Sequence, residues 1–392
     1  MKKFLWLSTL LLLPSILGRS PFISALKPFL KAHVTLSEAG FSLAYTLGTL
    51  FASFCLPLVI CFLGKSFQLR KSFQSVYFIF AVSLLIILGI TNKELDSRVS
   101  FIFLVIAYWG LRLCGQGLLP ALTRTYTASI CEDRQCAWVG MLHTTLVVCF
   151  GGSVLFVLSK FDLFKFWNCI LTCWVITFMM IVVFISHNLP RIQSLQAQSF
   201  RKFGLILKNF PSLFKWGVLM IALQNLQATA IAFHLSEFAI EQKIPLAVIF
   251  QVFLPIGLLE LLFNPLIAWI YSRYRSKQIF LGLIVNLICL NIAIIFLSEP
   301  VGKIMFVLTS ALGWSFNHIL SYSLPAWTLS KEQHAIGYAT LGGYVCLFSA
   351  IGPFAYSCLA TWLGNYTAVN IAMLSINGCI FFTSLWFKTR RI

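Results

Sequence analysis

The sequence predicts an all-α membrane protein: twelve transmembrane helices in two six-helix bundles related by pseudo-twofold symmetry. Three observations predict it. Of 392 residues, 59% are hydrophobic and only 10% are charged, whereas soluble domains carry roughly 25% charged residues. The chain therefore cannot cover a water-facing surface. Runs of about 20 mostly apolar residues, each long enough to cross a bilayer as a helix, recur from end to end. Barrel strands would alternate, and these runs do not. The longest polar stretch, 188–215, lies between six such runs and six more.

In chain order the expected spans are 4–30, 38–62, 73–91, 99–124, 137–159 and 164–187. After the polar stretch come 216–240, 245–271, 278–298, 304–329, 336–361 and 367–388. The units are thus an N-terminal bundle, 1–187, a basic linker, 188–215, and a C-terminal bundle, 216–392. Met1, Lys2 and Lys3 followed by Phe4 to Leu13 have the layout of a secretory signal peptide. The apolar character continues past Pro14 to Ile23, so the segment is expected to stay as the first span.

Charge sets the orientation. The net charge of +18 invites a nucleic-acid reading, yet the Lys and Arg residues fall singly or in small groups between apolar runs rather than in a stripe. Cytoplasmic loops of membrane proteins hold Lys and Arg. With the N-terminus inside, eighteen of the 29 lie on the cytoplasmic side and eight on the other. Arg19, Arg112 and Arg124 remain within or at the edge of spans. Both termini are expected in the cytoplasm, and the short loops suit a multi-pass protein of a bacterial inner membrane, most simply a monomer. Ten of the twelve cysteines lie in apolar runs, where they act as small apolar side chains. Cys131 and Cys136 flank a turn without the second ligand pair that a zinc site needs. No metal or other cofactor is expected.

The two halves share a local pattern. Pro57 to Lys65, followed by Arg70 and Lys71, ends the second span; Pro265 to Arg273, followed by Arg275 and Lys277, ends the eighth. Each is a proline-led apolar turn before a short basic hairpin. Together with the six-linker-six layout, these segments resemble the signature loops of the major facilitator superfamily of secondary transporters. Arg112, Gly115 and Gly117 resemble that family's arginine and Gly-x-Gly in the fourth span. Ala350, Gly352 and Pro353, with Gly364 and Tyr366, resemble its eleventh span and the loop after it. The chain departs from the family pattern at Ile60 and Gly64, and at Ala268 and Ser272, where a glycine and an aspartate are usual. Gly151 and Gly152 stand without the proline of the antiporter signature. The resemblance implies two bundles rocking about a central cavity lined by spans one, four, seven and ten.

Charges at bilayer depth are expensive and mark function by default. Arg112 lies midway in its span with Gln116 one turn on, on the same face. Its guanidinium suits a carboxylate or phosphate, or else a fixed internal partner. Arg19 stands beside Ser15, Ser20 and Pro21, which loosen the helix; it faces either the cavity or an interface. Arg124, near a span end, is expected to snorkel. Glu260, the one acid deep within a span, is either a proton carrier that couples transport or a partner of Arg112 or Arg19. Gln224, Gln227 and His234 share a stripe of span seven. Trp314 and His318 stack one turn apart in span ten, with Asn317 adjacent; such polar side chains equally serve as links between helices. His33, His143 and His334, near span ends, carry no expected role. No nucleotide-binding loop and no catalytic constellation are present.

These observations favour a secondary active transporter of a small polar solute, anionic because arginines outnumber acids in the bundle. The solute would be held by Arg19, Arg112, Gln116, Gln224, Gln227, Asn317 and His318, with Glu260 coupling it to protons. Two alternatives stand beside this reading: an integral-membrane transferase on lipid-linked substrates, and a transport fold turned sensor or scaffold.

Overall fold

A computed structural model describes residues 11–65, 69–93, 95–130, 133–160, 166–188, 210–273 and 278–386. Most of the linker, the tips of both basic hairpins and Cys131 fall outside these residues. Among the described residues the regular structure is helical throughout. Ten helices are long and apolar enough to cross a membrane, and Phe280–Ile295 is a shorter apolar helix. Their outer faces carry large exposed apolar side chains, such as Phe54 at 66%, Leu262 at 69% and Trp362 at 80%. A water-soluble monomer does not display so much apolar surface; a lipid-facing bundle does.

Each expected span has a helical counterpart. The first is a 3₁₀ turn, Leu13–Gly18, then α1, Ser20–His33. Then come α2 Glu38–Lys65, α3 Leu69–Asn92 and α4 Ser97–Arg112. A π turn, Leu113–Leu118, leads into α5 Leu119–Ile130, followed by α6 Asp133–Lys160 and α7 Trp167–Asn188. After the linker run α8 Ser212–Phe233, α9 Leu235–Glu241, α10 Leu246–Gln251, α11 Phe253–Arg273 and α12 Gln278–Ile295. The chain continues as α13 Pro300–Thr328, α14 His334–Leu363 and α15 Tyr366–Trp386. Gly364 ends α14 in the left-handed conformation, φ 89°, which glycine adopts without steric cost.

The packing maps onto itself when six is added to the span number. Spans two and four pair as α2 with α4, and eight and ten as α11 with α13. Spans three and six pair as α3 with α7, and nine and twelve as α12 with α15. Between the first and second halves of the chain, α2 packs along α14, and α6 along α11. Those two pairs exchange under the same shift. The arrangement is what a pseudo-twofold bundle requires.

Three spans depart from single straight helices. The first breaks at Arg19, whose ψ of 150° is extended; Pro21 fixes the start of α1 but leaves the turn before it without a continuous hydrogen-bond ladder. The fourth carries the π turn immediately after Arg112, a distortion common at functional sites. The seventh is shorter than expected, since α8 stops at Phe233 and resumes beyond His234 as α9. The first two distortions meet. A methyl group on Gly115 would lie 2.7 Å from the Cα of Gly18, and one on Gly18 would lie 2.3 Å from the carbonyl oxygen of Leu111. Only glycine permits that crossing.

Candidate functional site

The crossing of Gly18 with Gly115 positions Arg112. One of its terminal nitrogens, Nη1, donates to the carbonyl oxygen of Gly18 at 2.9 Å, a carbonyl that the break at Arg19 leaves available. The guanidinium lies over the ring of Tyr45, 5.2 Å from its centroid. It is fully buried, and Nε and Nη2 have no partner. Those two nitrogens form one edge of the guanidinium fork, the edge that takes a carboxylate or phosphate through two parallel bonds.

Arg112 also lines a cavity between helices of the first and second halves. Arg19, Arg112 and Arg124 all line it. Nη1 of Arg19 donates to Nε2 of His318 at 3.3 Å, and the guanidinium sits 5.5 Å from the Trp314 ring centre. Trp314 and His318 are stacked, 5.6 Å apart and 19° from parallel. The expected one-turn stack is therefore present, and it serves as a shelf for Arg19. Gln116 lines the cavity too; its amide nitrogen donates to Ser349 on α14 at 3.0 Å, while its carbonyl oxygen is unpartnered. Gln224 repeats the pattern, donating to the Gly313 carbonyl at 2.7 Å and leaving its own oxygen unpartnered. Asn317 completes the wall beside Ser321.

Six of the expected binding residues thus border one space. Gln227 does not. It is turned toward α12 and α15, where its amide exchanges hydrogen bonds with Asn377 at 2.7 and 2.8 Å and accepts one from Asn291 at 3.0 Å. His234, on the same predicted stripe, bonds the Pro353 carbonyl at 2.9 Å and Ser357 at 3.2 Å. Glu260 is fully buried on α11 and is not among the residues that line the cavity. Neither carboxylate oxygen has a hydrogen-bond partner, and Arg19 is the cation whose charge acts on it.

Two residues of the site were not expected there. Arg124, predicted to snorkel, lines the cavity and faces the ring of Tyr322 at 5.0 Å. The bundle interior is hollow at that depth, so the guanidinium turns inward instead of toward lipid. His143 is buried, with Nδ1 2.9 Å from the Tyr322 hydroxyl. A smaller pocket is lined by His143, Tyr322, Arg19, Arg124 and His318.

At the opposite end of α1 the two halves are tied together. Lys27, counted among exterior residues by the orientation rule, is 2% exposed and pairs with Glu237 at 2.7 Å. It also lies 4.6 Å from the Phe233 ring. Lys31 stands 3.7 Å from the same carboxylate. Glu237 belongs to α9, beyond the end of the crossing formed by α8. Burial pushes its carboxyl up, but Lys27 and His234 outweigh this and hold it at about 2.

No family model matches the sequence, and no curated protein does. Solved structures do. The nucleoside transporter NupG superposes with a TM-score of 0.69 at 15% identity, covering 98% of each chain. The human organic anion transporter MFSD10 gives 0.68 at 13% identity, over 97% of this chain and 98% of that one. The proton:xylose symporter XylE of the major facilitator superfamily gives 0.68 at 13% identity, over 98% and 95%. This chain therefore has the major facilitator fold over nearly its whole length. The resemblance carried by Arg112, Gly115 and Gly352 holds at the level of architecture.

Proposed function

We propose that the protein is a secondary active transporter of a small organic anion. The observation that carries this reading is Arg112, fully buried with Nε and Nη2 unpartnered, among the residues that line a cavity between the halves. A permanent charge held at that depth without a counter-ion costs several kcal/mol unless a ligand supplies one. Bundles 1–187 and 216–392 would rock about this cavity, joined by the linker 188–215, with both termini in the cytoplasm of a bacterial inner membrane. Arg19, Arg112, Gln116, Gln224, Asn317 and His318 hold the solute. Glu260 is the proposed coupling group, because it is a buried carboxyl with neither oxygen paired and with Arg19 as its neighbouring charge. The transport roles of the structural neighbours support a carrier, and that of MFSD10 supports an anion.

The test is uptake by proteoliposomes from a mixture of organic anions. Wild-type vesicles accumulate at least one anion, and a proton ionophore alters the rate. Arg112→Gln, which keeps a donor for the Gly18 carbonyl, lowers uptake at least 100-fold while the purified variant stays folded. Full uptake by that variant removes Arg112 from the site and overturns the assignment.

A further inference from the structure

The cavity has more charge than a simple carboxylate can answer, and its charge is divided between two places. Three guanidiniums border it, and a guanidinium does not lose its proton inside proteins. Among the described residues the acid whose charge acts on Arg19 is Glu260, which is not itself one of the residues that line the cavity. With Glu260 ionised the group carries a net charge of about two, from Arg19, Arg112, Arg124 and Glu260. A monoanion leaves part of that unmatched in a low-dielectric interior; a dianion does not.

Placement narrows the dianion further. Arg112, with Nε and Nη2 unpartnered, lines the larger space together with Gln116 and Gln224. Arg124 is twelve residues on, about 18 Å along a helix axis, and its Nε is also without a partner. It borders the larger space and also a smaller one with Tyr322, His143 and His318. Arg19 lies between, lining both spaces and anchored to His318. That axial separation of the two backbone positions suits a solute with two separated anionic groups better than a compact ion such as inorganic phosphate.

Building on the anion-carrier reading above, we infer that the solute class is an elongated organic dianion. One anionic group sits on the Nε and Nη2 edge of Arg112. A second, several carbon atoms away, enters the lobe of Arg124 and Tyr322. Arg124 is then the residue that sets selectivity for two charges over one, and the unpartnered oxygens of Gln116 and Gln224 accept from hydroxyl or amine groups on the chain between.

The experiment measures thermal stabilisation of the purified full-length protein by unbranched α,ω-dicarboxylates of three to eight carbons. The ω-phosphonocarboxylates of the same lengths form a second arm, and monocarboxylates and inorganic phosphate are the controls. Wild-type protein binds the best dianion at least 10-fold more tightly than the monoanion of equal length, with an optimum in chain length. Arg124→Gln brings the dianion down to the affinity of the monoanion; Arg124→Lys, which keeps the charge, restores part of the difference. The two arms separate a carboxylate from a phosphoryl group at the second point. Equal binding of matched monoanions and dianions, or phosphate binding as well as the best dianion, overturns two-point recognition and leaves the anion carrier standing. Failure of every anion to stabilise the protein overturns both.

Discussion

Arg112 and Lys27 are two buried cations of the same bundle, and the protein treats them in opposite ways. Lys27 is 2% exposed and has a carboxylate at 2.7 Å and an aromatic face at 4.6 Å. Arg112 is fully buried and receives one backbone carbonyl and one ring, with half of its fork left unsatisfied. Both carry the desolvation cost of a charge removed from water. At Lys27 the chain itself offsets that cost, across a contact between its two halves, and the charge becomes structural. At Arg112 the offset is missing and a cavity stands in its place. Burial of a charge in a membrane bundle is thus a poor marker of a binding site by itself. Unused hydrogen-bonding capacity beside a void is a better one.

The comparison makes a stability prediction that separates the two. Removing one member of a buried ion pair typically costs about 3–5 kcal/mol. Here Lys27→Met is expected to cost about 2–3 kcal/mol, because Glu237 keeps 15% exposure and Lys31 stands 3.7 Å away to share it. The double variant Lys27→Met with Glu237→Leu recovers most of the loss, since no stranded charge remains. Arg112→Gln, by contrast, leaves the melting temperature unchanged or raises it. Equal destabilisation by Lys27→Met and Arg112→Gln would erase the distinction between a structural cation and a ligand-facing one.

A second prediction sharpens the Lys27 side through pH. Glu237 is held down from its ordinary value of 4.5 to about 2. A carboxyl whose folded value is depressed contributes stability that is present in full above the unfolded value. That contribution is lost as pH falls through the folded one. Thermal stability in detergent should therefore fall between pH 4.5 and 2 in the wild type. In Glu237→Gln the fall attributable to this group is absent. A profile with the same acid limb in both proteins would show that Lys27 and Glu237 do not share the charge as the 2.7 Å contact implies.

The same contrast explains which parts of the molecule were readable in the sequence. Hydropathy and length gave each crossing, because lipid demands long apolar helices whatever their neighbours. Periodicity put Gln116 on the face of Arg112, and His318 under Trp314, since both relations are internal to one helix. It failed where the answer depended on what lies across from a face. Arg124 was assigned to an interface because it is near a span end, although the space beside it is a cavity shared with Tyr322. Lys27 was read only for its side of the membrane, and no spacing rule connects α1 with Glu237 on α9, so the ion pair between them was not foreseen. The π turn after Arg112 had a local signal in Gly115 and Gly117, but the glycines alone do not say which helix comes close. That partner is Gly18, nearly a hundred positions earlier.

Gln224 and Gln227 give the smallest and most discriminating test. They are three residues apart on α8, and helical spacing assigns them one stripe. The helix is buried at both positions, 3% exposed in each case, so burial does not separate them either. Their partners do. Gln224 spends its amide nitrogen on the Gly313 carbonyl, leaves its oxygen unpartnered and lines the cavity. Gln227 uses both ends within the cluster formed with Asn291 and Asn377. Interhelical hydrogen bonds in membrane bundles are worth about 0.6 kcal/mol on average and rarely more than about 1.7. Gln227→Leu should therefore cost about 1 kcal/mol in stability and leave the KM for uptake unchanged. Gln224→Leu should do the reverse, raising KM several-fold with little loss of stability. A raised KM in Gln227→Leu would return that residue to the site, and would mean that α8 turns relative to α12 and α15 during the transport cycle.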